Sequence, residues 1–322
     1  KTMHKSLGNG IDPSEITDQY GADILRLWVA SSDYHSDIRI SKPILSQLSD
    51  AYKKIRNTAR FILGNLGNGK GFDPDTDSVP YDKLTELDKW ALMRLDTLID
   101  KVNEGYNAFD FHIAFHAIHN FCVIDMSNFY LDIIKDRLYC EKEDSEIRRS
   151  AQTAMYRILS AVARLAAPII SFTAEEIWQF MPHTASDDTE SVFLNQMPEK
   201  SGIQFDSEFI DKWNFLYSVR EQVNKVLEEA RNAKTIGKSL EAKIVVKSSG
   251  EDYEKYLALA EQLQEVLIVS GIEVEKSDSE TTFEVAKADG EKCERCWCYS
   301  KYVGTNHIHP TLCQRCAAVI EV

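Results

Sequence analysis

Four of the seven cysteines in this 322-residue chain form two Cys-x-x-Cys pairs near its end, Cys293 with Cys296 and Cys313 with Cys316. Each pair can present two thiolates along one edge of a tetrahedron, so the spacing predicts a four-cysteine zinc site. With every position filled by protein, no place remains for a bound water, and such a metal holds the fold and does not hydrolyse a substrate. The alternative is a set of reduced thiols packed in a small core. Cys298, His307 and His309 are possible competitors, but only the four-cysteine set is symmetric in spacing. Arg295 and Arg315 stand beside the ligands, where they could offset the negative charge of four thiolates or meet a phosphate. Between the pairs there are few large apolar residues beyond Trp297, Tyr299, Tyr302 and Val303, so metal binding and folding of this tail are expected to be one event.

A second constellation opens the chain. Thr2-Met3-His4-Lys5-Ser6-Leu7-Gly8-Asn9 offers a mobile ammonium at Lys5, a hydroxyl at Ser6 and a glycine that lets backbone approach a bulky anion. A helix start follows, with Asp12 as cap, Pro13 suited to the first position and Glu15 able to reach back. Taken alone, Lys-Ser-x-Gly is most simply a solvated loop ahead of a helix. His112, His116 and His119 recur at helical spacing and could share a face, yet the His-Glu-x-x-His order of a zinc hydrolase is missing, and ordinary packing is expected.

The elements that must position these groups read as mostly helical. Two short helices broken near Tyr20-Gly21 lead to an extended stretch over Ser31 to Ile40, then a long helix capped by Ser41 and stopped by Gly64. After a polar loop from Asn65 to Asp82, Thr85 and Asp88 cap a helix whose apolar face is Leu87, Ala91, Leu95, Leu98 and Val102. Further helices are expected from about Phe109 to Tyr139, Asp144 to Ala166 and Thr173 to Met181, the last opened by a Thr173/Glu176 capping box; short joints between them suggest a bundle. A long helix from about Ser207 to Lys234 carries Lys212, Arg220, Lys225 and Arg231. Beyond Gly237 the period turns to two, predicting strands over Ala242–Val246, Val266–Val269 and Phe283–Ala286 around a helix from Tyr253 to Leu263.

The fold class is therefore mainly α, a helical bundle followed by a small α+β region and a zinc module. The expected division is 1–40, 41–205, 206–290 and 291–322. A hydrophobic content of 43% is ample for real cores, while a formal charge of −14 argues against a nonspecific nucleic-acid coat protein and confines any RNA contact to a local basic face. No apolar run is long enough to cross a bilayer and no leader opens the chain, so a cytoplasmic, membrane-free, monomeric protein is expected.

Met3, Lys5 and Ser6, followed by Tyr20-Gly21-Ala22-Asp23-Ile24-Leu25-Arg26-Leu27-Trp28, resemble the KMSKS loop of class I aminoacyl-tRNA synthetases and the segment after it; Thr2 and His4 depart from that signature. Asp125 through Asp132, Lys135 through Tyr139 and Pro168 through Trp178 resemble the anticodon-binding helical domain of the isoleucyl, valyl and leucyl group. With the Cys-Glu-Arg-Cys-Trp and Cys-x-Arg-Cys ending, the whole chain is similar to the C-terminal part of the bacterial-type isoleucyl-tRNA synthetases. The resemblance implies an enzyme that activates isoleucine with ATP and Mg2+ and transfers it to tRNA(Ile). It implies that Thr2, Met3, His4, Lys5 and Ser6 form the ATP loop, with Lys5 stabilising the transition state, and that one structural zinc sits on the four cysteines. The amino-acid pocket and editing domain have no counterpart, so the fragment alone is expected to be inactive. Arg295 and Arg315 join Lys212, Arg220, Lys225 and Arg231 as candidate tRNA contacts. The rival readings are another class I synthetase, valyl or leucyl, and a zinc-containing interaction scaffold with no RNA role.

Overall fold

A computed structural model describes residue 3 and residues 10–67 and 71–321. The chain forms two compact units, one running to Asp132 and resuming over Glu143–Ile203, the other comprising Ile133–Lys142 and the chain from Gln204 onward. A short stretch in the middle of the helical region thus belongs with the C-terminal half.

The first unit is helical. Helices α1 (Pro13–Tyr20) and α2 (Ala22–Ala30) meet at Gly21, whose φ of 89° is open to glycine at little cost. Asp12 caps α1 by accepting from the Ser14 amide at 2.9 Å. No strand forms over Ser31 to Ile40; turns at Asp33 and a hydrogen bond from the Trp28 indole to the Arg39 carbonyl fold this stretch back. Helix α3 (Lys42–Leu66) is capped by Ser41 as expected but runs through Gly64, because Ile62 and Leu66 are buried on its core side and hold the last turn. Helix α4 (Glu86–Asn107) starts at the Thr85 cap and buries Leu87, Ala91, Leu95, Leu98 and Val102. Its Asp88 is fully buried and accepts hydrogen bonds from the hydroxyls of Thr85, Tyr130 and Ser150. That carboxylate joins three segments, which gives the core a fixed register.

Helix α5 (Phe111–Asn120) passes into a π-helical run, Phe121–Tyr130, then α6 (Leu131–Ile133) and, in the second unit, α7 (Lys135–Cys140). The single helix expected there is thus divided. Helix α8 (Glu146–Ala166), buried along most of its length, turns into α9 (Ser171–Phe180). Thr173 lies inside α9 and is not its cap. Asp23 of α2 takes that task, accepting from the amides of Phe172 (3.2 Å) and Thr173 (2.8 Å) and from the Thr173 hydroxyl (2.6 Å). Arg26, one turn later, donates to the Pro168 and Ile169 carbonyls at the turn between α8 and α9.

The second unit is built on α10 (Ser207–Asn232), whose buried stripe is Trp213, Leu216, Val219, Val223 and Leu227. A three-stranded sheet in the order β2-β1-β3 stands beside it: β1 (Ala242–Ser248) runs parallel to β2 (Gly271–Lys276) and antiparallel to β3 (Thr282–Lys287). Helices α11 (Gly250–Ala258) and α12 (Ala260–Leu267) form the crossover. The strand expected over Val266–Val269 is instead the end of α12, since Leu263, Val266 and Leu267 recur at helical spacing and are buried, with Ile268 left-handed at the stop. The chain ends in the hairpin β4 (Glu291–Lys292) with β5 (Tyr299–Ser300) and helix α13 (Gln314–Ile320).

Candidate zinc centre and cationic face

Hairpin β4–β5 and the start of α13 carry the four cysteines to one point. The Sγ atoms of Cys293, Cys296, Cys313 and Cys316 lie within 4.8 Å of one another, and all four residues are buried. Among the described residues no other trio of His, Cys, Asp or Glu converges in this way. Cys296 and Cys313 sulfurs stand 3.8 Å apart, which matches the edge of a tetrahedron with metal–sulfur bonds of about 2.3 Å. The backbone of each knuckle is arranged for anionic sulfur. The Cys313 amide donates to Cys293 Sγ at 3.3 Å.

Burial alone would raise the Cys293 thiol, but amides of Cys313, Cys296 and Arg295 outweigh it and draw it down to about 6. Cys296 is pushed up by the Cys298 side chain and by burial, Cys313 by burial, and Cys316 by Cys296 and by burial. Sulfurs this close oppose one another's ionisation, so the set reaches four thiolates only around a cation. The donor chemistry therefore fits zinc. Cys298, only half-buried, turns its thiol to the Cys296 carbonyl, and neither it nor His307 nor His309 joins the converging set.

Two residues that spacing did not single out shape the centre. Gly290 has φ 85°, and a Cβ there would fall 2.3 Å from the carbonyl carbon of Ser300, so the hairpin closes only over glycine. Trp297, the residue after the first knuckle, is left-handed at φ 65° and half-exposed. Its amide returns to the Cys293 carbonyl at 2.9 Å, which holds this unusual conformation for a bulky residue. Lys238 and Lys292 stand over its ring at 5.0 and 5.3 Å.

Of the other candidates, Thr2, His4, Lys5 and Ser6 lie outside the described residues; Met3 is exposed. Lys225 is exposed on α10, Lys212 is half-buried, and Arg220 is buried with its guanidinium donating to the Val266 carbonyl. Arg231 is paired with Glu228 at 2.5 Å and with the Ser239 hydroxyl at 2.8 Å. It lines a cleft of about 420 Å³ with Lys234, Lys287, Glu241 and the turn Thr235-Ile236-Gly237. The Glu241 carboxylate accepts from the Gly237 amide at 2.8 Å and keeps its charge, so the cleft sets the exposed Lys234 and Lys287 beside one anion. His112, His116 and His119 share α5 in the first unit; burial and the two neighbouring imidazoles keep His116 below the ordinary histidine range.

Comparison with known proteins agrees with this arrangement. Residues 88–246 match the anticodon-binding domain of tRNA ligase, residues 1–41 the class I tRNA synthetases (I, L, M and V), and residues 290–319 the zinc finger found in FPG and IleRS. Isoleucine–tRNA ligases are similar over essentially the whole chain, at 46% identity in Caldanaerobacter subterraneus subsp. tengcongensis, 50% in Syntrophotalea carbinolica and 51% in Caldicellulosiruptor saccharolyticus. The chain spans 35% of the length of each. A solved ternary complex of Agrobacterium radiobacter K84 agnB2 LeuRS, tRNA and LeuAMS superposes at a TM-score of 0.47 with 16% identity, covering 88% of this chain and 31% of that one.

Proposed function

We propose, for a chain that belongs to the isoleucine–tRNA ligase family, that it holds the anticodon arm of tRNA(Ile) for a cytoplasmic, monomeric enzyme that joins isoleucine to that tRNA with ATP. The observation that carries this reading is the match of residues 88–246 to an anticodon-binding domain, a span that includes α10 and the turn at its end. The electrostatics support it. In a chain of formal charge −14, Arg231, Lys234 and Lys287 outnumber the one carboxylate, Glu241, that lines the same cleft, and Lys238 and Lys292 flank an exposed indole in the same unit. Lysines suit phosphates, and an exposed aromatic face suits a splayed base. Lys212, Lys225 and Arg231 remain candidate contacts along α10, whereas the buried Arg220 would act by fixing α12 against that helix.

The zinc would be held by Cys293, Cys296, Cys313 and Cys316, where it supplies structural cross-linking of the two knuckles. Lys5 would place a positive charge on ATP phosphates, lowering the barrier as charge builds on departing pyrophosphate. Neither the amino-acid pocket nor editing is attributed to this chain.

Titrating the chain with tRNA(Ile) and tRNA(Val) transcripts at several salt concentrations tests the reading. Phosphate contacts predict affinity that falls linearly with salt on logarithmic axes, and tRNA(Ile) should bind more tightly. Equal, weak, anticodon-independent binding to both would favour the interaction-scaffold reading.

A further inference from the structure

The one arginine in each knuckle, the residue just before its second cysteine, turns toward α7. Arg315 grips Asp136 of α7 with two hydrogen bonds, at 2.5 and 2.7 Å, and has the Glu141 carboxylate at 3.8 Å. Arg295 donates to the Cys140 carbonyl at 2.5 Å, and the Cys140 thiol returns a hydrogen bond to the Arg295 carbonyl at 3.8 Å. Cys140 is itself buried in one cluster with the four cysteines of the metal site. Two knuckles that are far apart in sequence therefore use equivalent arginines on the same six-residue helix. On another side of that helix, Arg137 pairs with Glu265 of α12 at 2.5 Å.

We propose that Arg295 and Arg315 form a clasp that binds the zinc module to α7, so that metal loading and the placement of residues 133–142 are a single linked equilibrium. The charge balance supports a clasp over a phosphate grip. Arg315 stands between the carboxylates of Asp136 and Glu141, a pair that already neutralises it and repels a further anion. Planar, two-toothed pairing with Asp136 is the geometry in which an arginine is most selective, and a half-exposed pair of this kind orients more than it stabilises. The direction of coupling follows from linkage. If the folded knuckles bind both zinc and α7, each ligand strengthens the other by the same factor. Because the chain leaves the helical unit at Asp132 and returns at Glu143, the clasped segment is an excursion from that unit, joined within the second unit to the metal site by Arg295 and Arg315 and to α12 by the Arg137–Glu265 pair.

The inference rests on the zinc reading, and its test separates the two. Full-length chain is loaded with zinc, its metal content is measured, and its affinity is read by competition with a chromophoric chelator. Asp136→Ala, a change at a residue that bonds Arg315 and none of the four cysteines, should weaken zinc binding about tenfold, the low end for outer-shell partners of a metal site. Hydrogen exchange of the unmutated chain should show that chelation exposes amides of residues 135–140 together with those of 293–316, while α4 and α8 stay protected. Wild-type chain that retains no zinc overturns both the zinc site and the clasp. One zinc per chain, with unchanged affinity in Asp136→Ala or unchanged protection of residues 135–140 after chelation, overturns the clasp alone.

Discussion

Gly290 and Cys293 show how closely the metal site depends on single atoms. A side chain at Gly290 meets backbone at a distance no real Cβ occupies, so the hairpin that delivers Cys293 and Cys296 would have to open. Cys293, held low by three amides, is the ligand best prepared to be a thiolate before metal arrives, and its partners gain theirs from the cation. Lys5 represents the opposite case, a residue whose role comes from its match to a family loop and not from geometry. Restored to an intact ligase, Lys5→Ala should lose about 3 kcal/mol of transition-state stabilisation in the activation step, with tRNA binding nearly unchanged. Isoleucine-dependent pyrophosphate exchange measures this directly, and wild-type rates there would remove Lys5 from the mechanism.

Helix α9 begins where it does because α2 supplies the cap. Asp23 is buried, and three donors of the α9 first turn converge on it, so Asp23→Ala leaves buried amides without partners and should cost about 2 kcal/mol. Asp23→Asn keeps an acceptor oxygen and should cost about half as much; urea denaturation of the two variants side by side tests the ordering, and equal losses would point to packing instead of capping. This long-range cap also shows where sequence reading ends. Ser41, Thr85 and Asp12 caps were legible because each bonds an amide within three residues of itself, and the Cys-x-x-Cys pairs were legible because ligand spacing is local. Asp23 was not, since its partners lie about 150 positions away. The Val266–Val269 stretch carries a short apolar run that fits a strand or a buried helix face equally well, and only burial beside Leu263 decides for α12. The π-helical run over Phe121–Tyr130 shifts the buried face by a fraction of a turn, a change that no 3.6-residue pattern reveals. It places Asp125 where burial pushes its carboxyl up, opposed by Arg94 at 2.9 Å.

For the molecule as a whole, the metal site is a small core built mainly of cysteines, with little apolar packing to hold it when the metal is gone. Its buried residues are chiefly the cysteines themselves, Cys140 included, with Ala317, whereas the helical unit buries tens of aliphatic and aromatic side chains of its own. Among the described residues no helix is long and apolar enough to cross a membrane. Cys313→Ser removes one of four ligands and leaves the N-cap of α13 filled by a residue suited to it, so its effect is that of the lost sulfur; structural zinc contributes about 10 kcal/mol or more to the folding of such modules. The variant should therefore lose its zinc and unfold residues 293–316, and by the clasp it should loosen residues 135–140 as well. Far-ultraviolet ellipticity should fall only slightly, because the short helices α7 (6 residues) and α13 (7 residues) are the helices in the affected segments, while α3, α4 and α8 remain packed. In an intact ligase the same change should reduce transfer of isoleucine to tRNA(Ile) much more than formation of the adenylate, since the anticodon arm, and not ATP, is what this region holds under the proposed function. Parallel assays of aminoacylation and pyrophosphate exchange on zinc-loaded wild type and Cys313→Ser give the ratio; a proportional loss of both activities would mean that the zinc module supports the whole enzyme and not RNA recognition in particular.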